Sequence, residues 1–482
     1  MTSLAAKTPR LVVPGLQNLG NTCFFNAILQ ALASLSSVHE YLDQIEQRAR
    51  ITERTITFTC ALRDCLDALT PREENDQSRR VVVAPRILNA ELTSRLSAFQ
   101  GNKQQDSQEL LQFLFKLVGN EQHRCSVQDR GLADLAVTNA TRSSISDLRL
   151  LQAVDGRNWN PLQGLQVNLL QCVCCSRFRP LKNQPFIDVS LSLVALDERK
   201  LSHLTDALQL YTEPEAIDGV ECSYCSVVEQ LKDTEEKYAR EETHMALDRE
   251  SVSNESEIAQ HERKDWIYTL KQLADSSSSI DLEQLEQFVP RKCGESHKRL
   301  QFSRSPDVFC FHLNRKVYRK TGGAVKLETY VEFPLELDMS VYCQYELDCD
   351  GGVKQKVVSG ASRSTARRSG VSSLTRSEAS KQQHLLYDLA AVILHHGNER
   401  SGHFTAYRRA GPSQWFFVSD ETVREVSVTD VLSSCAYMLF YERKFRTKRI
   451  TRSSETEETT DDDDSLPDVP FEPHLLLSNG RY

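Results

Sequence analysis

Residues 15–32 read GLQNLGNTCFFNAILQAL, and this stretch decides how the rest of the sequence is interpreted. From residue 24 to residue 35 apolar side chains recur at helical spacing, so the sequence predicts a helix that begins at or just after Cys23. A cysteine there lies at the positive end of the helix dipole, near unpaired backbone N–H groups, and this environment favours the nucleophilic thiolate. A buried structural thiol is the alternative, and the helix pattern alone does not decide between them.

A nucleophilic cysteine needs oxyanion donors and a base. The Asn18 side chain and the backbone N–H of Cys23 can donate hydrogen bonds to an oxyanion. A cysteine protease also needs an imidazole that lies close to the thiol in space rather than in sequence. His395, His396 and His403 all lie in strand-like segments near the C-terminus, so the residues alone leave three candidates for this base.

The composition of the 482 residues excludes several classes of protein. Hydrophobic residues make up 40% and charged residues 26%, which is typical of a soluble globular protein. The formal net charge of −9 argues against nucleic-acid binding. No run of about 18 apolar residues predicts a membrane span, and no secretory signal is recognisable. Fourteen cysteines without such a signal indicate an intracellular, reducing compartment.

The secondary-structure pattern changes along the chain. Residues 106–118 (DSQELLQFLFKLV) predict an amphipathic helix with Asp106 as its N-cap. Later segments alternate apolar and polar residues as half-buried strands do, among them FIDVSLSL (186–193) and VFCFHL (308–313). Helices first and strands later predict an α+β fold with an antiparallel sheet.

Three segments interrupt this pattern. Residues 233–287 are charged and poor in aromatics, which predicts a solvated, partly helical insertion. Residues 351–383 are rich in Ser, Arg and Gly and predict a flexible loop. We therefore expect one domain at 14–446 that contains both insertions, an N-terminal extension at 1–13 and a disordered acidic tail at 447–482.

Two CxxC pairs form the second chemical signal. They are Cys172 with Cys175 and Cys222 with Cys225, and four thiolates in this arrangement suit tetrahedral Zn²⁺. Cys174 lies beside Cys175, so Cys172 and Cys174 compete to be the other ligand of the first pair. The CxxC spacing favours Cys172. Because protein ligands would fill all four positions, we expect a structural zinc ion.

Together these motifs resemble the ubiquitin-specific proteases. Residues 15–32 resemble the cysteine box of that family, QQDSQELL (104–111) its QQDxxEL helix, and SGHFTAYRR (401–409) with WFFVSDETV (415–423) its histidine box. The resemblance implies a papain-like fold with thumb, palm and zinc-ribbon fingers. It also implies that the protein hydrolyses the bond after the C-terminal glycine of ubiquitin, with ubiquitin and ubiquitinated proteins as partners.

The resemblance also assigns roles to individual residues. Cys23 is the implied nucleophile, and the GHxxxY pattern selects His403 as the base. Asp106 and Glu109 match positions that bind the C-terminal tail of ubiquitin, and His396 belongs to the loop that covers this tail. The four cysteines of the CxxC pairs match the zinc site of the fingers.

The third member of the triad departs from the family pattern. Ser419 stands where the family has an acid or amide, and Asp420 follows it. A serine hydroxyl can accept a hydrogen bond from Nδ1–H of the imidazole but brings no charge, so we expect a slower enzyme or one that Asp420 assists. One branch of the family, at the mitochondrial outer membrane, has a Cys-His-Ser triad. The resemblance thus favours that location, whereas the chain as printed predicts a cytosolic protein.

Two alternatives to an active enzyme remain at this stage. Because the triad acid is missing, the protein could be a weak or inactive ubiquitin-binding scaffold. A structural zinc-ribbon scaffold would need only the cysteine pairs. The presence of Cys23, His403 and Asn18 together favours the enzyme over both alternatives.

Overall fold

The computed structural model covers one chain, and the residues that it describes are 11–73, 81–100, 105–126, 160–247, 254–275, 289–318, 323–343, 345–347, 353–355, 385–398 and 401–444. The acidic tail predicted at 447–482 lies outside the described residues, as do residues 1–10 of the predicted extension. The loop predicted at 351–383 also lies outside them, apart from a three-residue strand.

Five of the described α-helices lie within residues 23–126, and five further ones follow among the later strands. They are α1 (Cys23–Leu32), α2 (Ser36–Ile51), α3 (Thr57–Ala68), α4 (Arg86–Arg95), α5 (Ser107–Ser126), α6 (Leu193–Arg199), α7 (Leu204–Tyr211), α8 (Ser223–Leu247), α9 (Asn254–Asp275) and α10 (Val428–Leu432), with short 3₁₀ turns at Ser97–Phe99 and Ser340–Tyr342. The predicted helices at Cys23 and Asp106 are both observed, and the second continues to Ser126.

Four two-residue strands lie before or among the first five helices, and the longer strands begin at residue 164, after α5, in agreement with the predicted order of helices before strands. The strands are β1 (Leu11–Val12), β2 (Gly15–Leu16), β3 (Arg72–Glu73), β4 (Val82–Val83), β5 (Gly164–Cys172), β6 (Phe178–Phe186), β7 (Val189–Ser192), β8 (Glu215–Glu221), β9 (Cys293–Arg304), β10 (Val308–Asn314), β11 (Lys316–Tyr318), β12 (Ala324–Lys326), β13 (Glu336–Asp338), β14 (Tyr345–Leu347), β15 (Val353–Gln355), β16 (Leu386–Gly397), β17 (Gly402–Arg409), β18 (Trp415–Ser419), β19 (Thr422–Val426) and β20 (Ala436–Arg443).

An eight-stranded sheet forms the centre of the molecule. Its order is β19-β18-β17-β16-β20-β10-β7, with β13 paired to β16 beside this path. All pairs in this sheet are antiparallel except β10 with β7, so the predicted antiparallel sheet is observed with one parallel pair at its edge. Side chains alternate between two cores, since Val308 and Cys310 contact the core under α1–α5 whereas Phe309 and Phe311 contact the core under α6 and α7.

The strand predicted at 186–193 is divided between two sheets. β6 ends at Phe186 in a four-stranded sheet of order β6-β5-β9-β8, and β7 begins at Val189 in the central sheet. Asp188 lies at the corner, and its carboxylate accepts hydrogen bonds from the side chains of Gln108 (3.0 Å) and Gln112 (2.8 Å) on α5. The alternating run thus passes from one sheet to the other next to a residue that is attached to α5.

Helices α8 and α9 pack against each other beside the four-stranded sheet. A small core of Val227, Leu270 and Val289 lies between them. Residues 233–287, which the sequence predicts to be a partly helical insertion, contain most of α8 and all of α9.

The buried side chain of Arg408 connects the helices to the central sheet. Arg408 lies on β17 and is fully buried. Its Nη1 donates to Gln30 Oε1 (2.9 Å) and to the carbonyl of Leu69 (3.1 Å), and its Nη2 donates to the carbonyl of Ala33 (2.8 Å). Burial lowers its pKa to about 9, which still leaves the guanidinium charged at neutral pH. One side chain therefore saturates three acceptors on the helical side.

Arg408→Met is expected to lower the free energy of unfolding by about 3 to 5 kcal/mol, because it leaves three buried acceptors without a donor. Arg409→Met is the matched control. Arg409 is only half-buried and lies 3.7 Å from the Asp388 carboxylate, so its loss should cost less than about 1 kcal/mol. Urea denaturation measures both, and equal costs would contradict this role of Arg408.

Candidate active site

Cys23 is the first residue of α1 and is buried, with 3% of its surface exposed. The loop before it is held by the side chain of Asn18, whose Oδ1 accepts hydrogen bonds from the backbone N–H groups of Gly20 (3.0 Å) and Thr22 (3.2 Å). Gly20 and Asn21 have φ values of +105° and +55°, a region that glycine and asparagine enter most readily. These residues allow the tight turn that brings the chain into the helix at the cysteine.

His403 and Ser419 meet on neighbouring strands. His403 is the second residue of β17, which packs against α1, and Ser419 is the last residue of β18. Ser419 Oγ lies 2.8 Å from His403 Nε2. We predicted this bond at Nδ1 from the sequence, and that prediction is wrong. Because the hydroxyl occupies Nε2, Nδ1 is the ring nitrogen that the serine leaves open.

Asp420 makes a different set of contacts. It follows Ser419 at the turn between β18 and β19, where its φ of +50° is left-handed. Its carboxylate accepts hydrogen bonds from Asn18 Nδ2 (2.9 Å) and Asn26 Nδ2 (2.7 Å), and its carbonyl accepts one from the N–H of Leu16 (2.8 Å). Within the described residues, the turn thus directs the serine to the imidazole and the aspartate to the segment around Cys23.

The other two candidate histidines lie on β16. The strand register pairs His396 with His403, and His396 Nε2 lies 2.9 Å from Thr405 Oγ1. The ring of His395 packs against Phe404, with 4.5 Å between the ring centroids. Burial lowers the pKa of both imidazoles, so both are neutral at physiological pH. The structure therefore places only His403 against the serine.

A cavity of about 290 Å³ lies at the start of α5. Asp106, His312, His395 and Tyr437 contribute to its walls. Tyr437 Oη lies 2.8 and 2.7 Å from the two carboxylate oxygens of Asp106, and burial together with this carboxylate raises the pKa of the phenol. Glu109 is exposed on the first turn of α5. Asp106 is thus oriented at the cavity wall by a neutral hydrogen-bond donor.

The connection between β16 and β17 is shaped by a lysine and two glycines. Lys326 Nζ donates to the carbonyls of His395 (2.8 Å) and Gly397 (3.0 Å). Gly397 has a φ of +116°, and a Cβ at Gly402 would lie only 2.3 Å from His395 Nε2. Side chains at these two positions would force this part of the site to move.

The cysteines of the two CxxC pairs lie together at the ends of β5 and β8. The Sγ atoms of Cys172 and Cys225 are 3.7 Å apart, those of Cys175 and Cys222 are 3.6 Å apart, and all four lie within 4.8 Å of one another. Cys174 is exposed outside this cluster. A tetrahedral Zn²⁺ with Zn–S bonds of about 2.3 Å needs sulfur atoms about 3.8 Å apart, so the cluster can hold a metal ion of this kind.

Comparison with known protein families identifies the family of this chain. The family model for ubiquitin carboxyl-terminal hydrolases matches residues 14–441, which is most of the chain. The chain belongs to this family. It is therefore a cysteine-type deubiquitinase, and the family and activity predicted from the motifs are confirmed.

Several curated relatives align along nearly the whole hydrolase. Ubiquitin carboxyl-terminal hydrolase 30 of Danio rerio is 27% identical over 460 residues, which are 90% of this chain and 86% of that protein. The human protein of the same name is 26% identical, with 90% and 84% of the two chains covered. Ubiquitin carboxyl-terminal hydrolase 27 of Arabidopsis thaliana is 27% identical, with 90% and 85% covered.

Solved structures support the fold of this hydrolase. A chain of the SAGA Ubp8/Sgf11/Sus1/Sgf73 DUB module, which was solved bound to ubiquitin aldehyde, matches with a TM-score of 0.54 and 19% identity. The match covers 92% of this hydrolase and 72% of that chain. The predicted α+β fold of the ubiquitin-specific proteases is thereby confirmed.

Sequence reasoning missed four residues of the hydrolase's candidate site: Asn26, His312, Lys326 and Tyr437. Each has a hydrogen-bond or packing partner that is distant in the chain, as for Tyr437 with Asp106. The pattern of one segment does not reveal such a partner. The only signal in the sequence was a polar residue at a position where the helix or strand pattern predicts burial, as for Asn26 within α1.

Proposed function

We propose that this protein hydrolyses the isopeptide bond after the C-terminal glycine of ubiquitin, with Cys23 as the nucleophile, His403 as the base and Ser419 as the residue that orients it. The observation that carries the proposal is the 2.8 Å contact between Ser419 Oγ and His403 Nε2. It lies on strands that pack beside the helix that begins at Cys23.

The serine contact suggests how the proton moves. With Nε2 bound to Ser419, Nδ1 of His403 accepts the thiol proton, and the Cys23 sulfur attacks the carbonyl carbon. The tetrahedral intermediate collapses to a thioester as the imidazolium protonates the leaving amine. The neutral imidazole then deprotonates a water molecule, which attacks the thioester, and the thiol leaves with its proton restored. The ubiquitin C-terminus is released as a carboxylate.

Asn18 is suited to stabilise the oxyanion in both steps. Its Oδ1 accepts hydrogen bonds from the turn before Cys23, and one N–H of its Nδ2 donates to Asp420. These contacts fix the plane of the amide, and the second N–H of Nδ2 remains to donate to the oxyanion. The backbone N–H of Cys23 would supply the other donor.

The cavity beside α5 is the site that we propose for the C-terminal tail of ubiquitin. Asp106 offers a carboxylate at its wall, which suits the basic residues and backbone amides of that tail. We propose that Glu109 adds a second, exposed carboxylate one helical turn later, and that His396 supports the loop over the tail. Tyr437 holds Asp106 in place at this wall through contacts with both carboxylate oxygens.

Reaction with ubiquitin that carries a C-terminal electrophile tests the proposed function. The full chain should form a covalent adduct at Cys23, identified by mass spectrometry of the labelled peptide. His403→Ala should slow this labelling strongly, whereas His39→Ala should leave it unchanged, because His39 lies on α2 and contacts Asp67. An adduct at another cysteine would overturn the assignment of the nucleophile.

We propose that the metal ion of the cysteine cluster is zinc and that its role is structural. Four sulfur ligands would occupy every position of a tetrahedral ion, so none is left for a substrate or water. The ion would join the hairpin that follows β5 to the start of α8, where Cys222 and Cys225 lie.

Cys222→Ser is expected to lower both the zinc content and the thermal stability of the protein, because a structural zinc site contributes directly to folding. Cys174→Ser is the matched control, since Cys174 is exposed outside the cluster and should keep about one zinc per chain. Metal analysis of unchelated protein and thermal melts measure both effects. Wild-type protein without zinc would refute the assignment.

The location inside the cell stays a prediction. The resemblance suggests the mitochondrial outer membrane, and in the part of the chain that the structure describes no helix is long and apolar enough to cross a membrane. We propose that membrane association, where it occurs, does not use a span within these residues. Carbonate extraction of cell membranes tests this proposal. A protein that stays in the membrane fraction after extraction would contradict it.

A further inference from the structure

Asn26 is a buried polar residue on the helix that carries Cys23. Only 2% of its surface is exposed, and it lies three residues after Cys23, so both residues share one side of α1. Its Nδ2 donates to Asp420 Oδ1 at 2.7 Å and approaches the carbonyl of Gln17 at 3.4 Å. A buried amide on the apolar helix next to the nucleophile calls for a role that an aliphatic side chain could not fill.

The donor and the acceptor of the Asn26 side-chain amide differ in their hydrogen bonding. Its donor forms a short hydrogen bond to a carboxylate, which is among the stronger hydrogen bonds in proteins. Its Oδ1 is buried and has no hydrogen-bond partner among the described residues. An unsatisfied buried acceptor costs stability, so the amide is poorly explained as a device for folding. The donor that faces Asp420 is the part that the site uses.

Asp420 links Asn26 to Asn18, the residue proposed above to stabilise the oxyanion. One carboxylate oxygen accepts from Asn26 and the other from Asn18, so the carboxylate is held between two amides. The Asp420 carbonyl binds the N–H of Leu16 separately, which keeps the turn in place without the side chain. The carboxylate therefore serves to align Asn18 rather than to hold the turn.

We propose that Asn26 is a positioning residue, which fixes the Asp420 carboxylate and thereby the Asn18 amide that faces the oxyanion. The proposal rests on the role proposed above for Asn18. Asn26 touches neither the substrate nor the reacting atoms. Its contribution belongs to the chemical steps, because the oxyanion forms in the transition states and tetrahedral intermediates and not in the bound substrate, so it should affect kcat and not KM.

Asn26→Leu removes the donor while keeping a side chain of similar size. We expect kcat for ubiquitin with a fluorogenic leaving group to fall by about 10-fold, as for loss of a hydrogen bond to a charged group, with KM unchanged. The melting temperature should change little, because the unsatisfied Oδ1 is removed together with the donor. Alkylation of Cys23 by iodoacetamide should proceed at the wild-type rate, since it needs no oxyanion.

A double-mutant cycle with Asp420→Ala decides the proposal. If Asn26 acts through Asp420, then Asn26→Leu should cost nothing further once the carboxylate is gone. Gln30→Leu is the control, because Gln30 is a buried amide of the same helix that binds Pro14 and Arg408 instead. Its effect should be on stability and should add to that of Asp420→Ala. Additive losses of kcat for Asn26→Leu and Asp420→Ala would overturn the proposal.

A second set of variants, in which amide and carboxylate are exchanged between positions 26 and 420, tests the proposal if Asn26→Leu does not fold. Asn26→Asp places two carboxylates against each other and should lower kcat, and Asp420→Asn in the same chain recreates the hydrogen bond with donor and acceptor exchanged. Partial recovery in the double variant supports the proposal, and a double variant worse than both singles contradicts it. The proposed function is tested separately. The wild type should cleave the ubiquitin substrate, and Cys23→Ala should not.

Discussion

Replacing Cys23 by alanine is expected to abolish turnover, with kcat for ubiquitin carrying a fluorogenic amide reduced by at least about 10⁴-fold. Alanine removes only the sulfur, and without it no thioester can form. The side chain is buried at the start of α1, so the change should leave the fold and the affinity for ubiquitin intact. Steady-state kinetics measure the first effect, and calorimetric titration with ubiquitin measures the second.

A cysteine-to-alanine substitution at a second thiol distinguishes the loss of the nucleophile from general misfolding. Cys60 lies half-buried on α3, where burial raises its pKa, so it is a poor nucleophile at neutral pH. Cys60→Ala should retain turnover close to that of the wild type. Turnover that persists in Cys23→Ala would remove the proposed mechanism, whereas equal losses in both variants would point to misfolding.

The helix start at Cys23 and the cluster of CxxC cysteines each have their signal in a short segment of sequence. Cys23 at the start of α1 follows from a helical pattern within twelve residues, and each CxxC pair follows from a four-residue spacing. Such local patterns determine secondary structure and nearby ligands directly. The match of the family model to residues 14–441 then extends them to the fold of the whole domain.

The features that the sequence did not reveal are non-local. Asp420 binds Asn26 across 394 positions and Asn18 across 402 positions, and no pattern within either segment encodes that contact. The choice of Nε2 over Nδ1 in His403 depends on how β17 and β18 lie beside each other, which the register determines and the sequence of one strand does not. The parallel pairing of β7 with β10 is non-local in the same way.

Asp420 also shows why the sequence left the third triad member open. Two adjacent polar residues at the end of a strand can each face the imidazole, and only the backbone conformation decides. In a regular strand their side chains would point to opposite faces. Here the left-handed φ of Asp420 turns the chain, so its carboxylate reaches the amides near Cys23 while Ser419 stays at the imidazole.

Ser419→Ala is therefore expected to lower kcat by roughly 10- to 1,000-fold. Without the hydroxyl, the ring of His403 can rotate or adopt the wrong tautomer, so the nitrogen that is proposed to accept the thiol proton is no longer held in place. The loss should stay below the roughly 10⁴-fold that follows when the charged acid of a serine protease triad is neutralised, because serine supplies a hydrogen bond without a charge. The rate of Cys23 alkylation by iodoacetamide should fall as well, since it depends on the imidazole.

Asp420→Ala and Ser419→Ala should give different results in these two measurements. It should lower kcat by about 100-fold through the misaligned Asn18, in the range observed when an oxyanion donor is lost, yet leave the alkylation of Cys23 near the wild-type rate. Ser419→Asp should remain active, because a carboxylate at this position can also accept from Nε2–H. Normal alkylation in Ser419→Ala together with slow alkylation in Asp420→Ala would mean that the aspartate, and not the serine, orients the histidine.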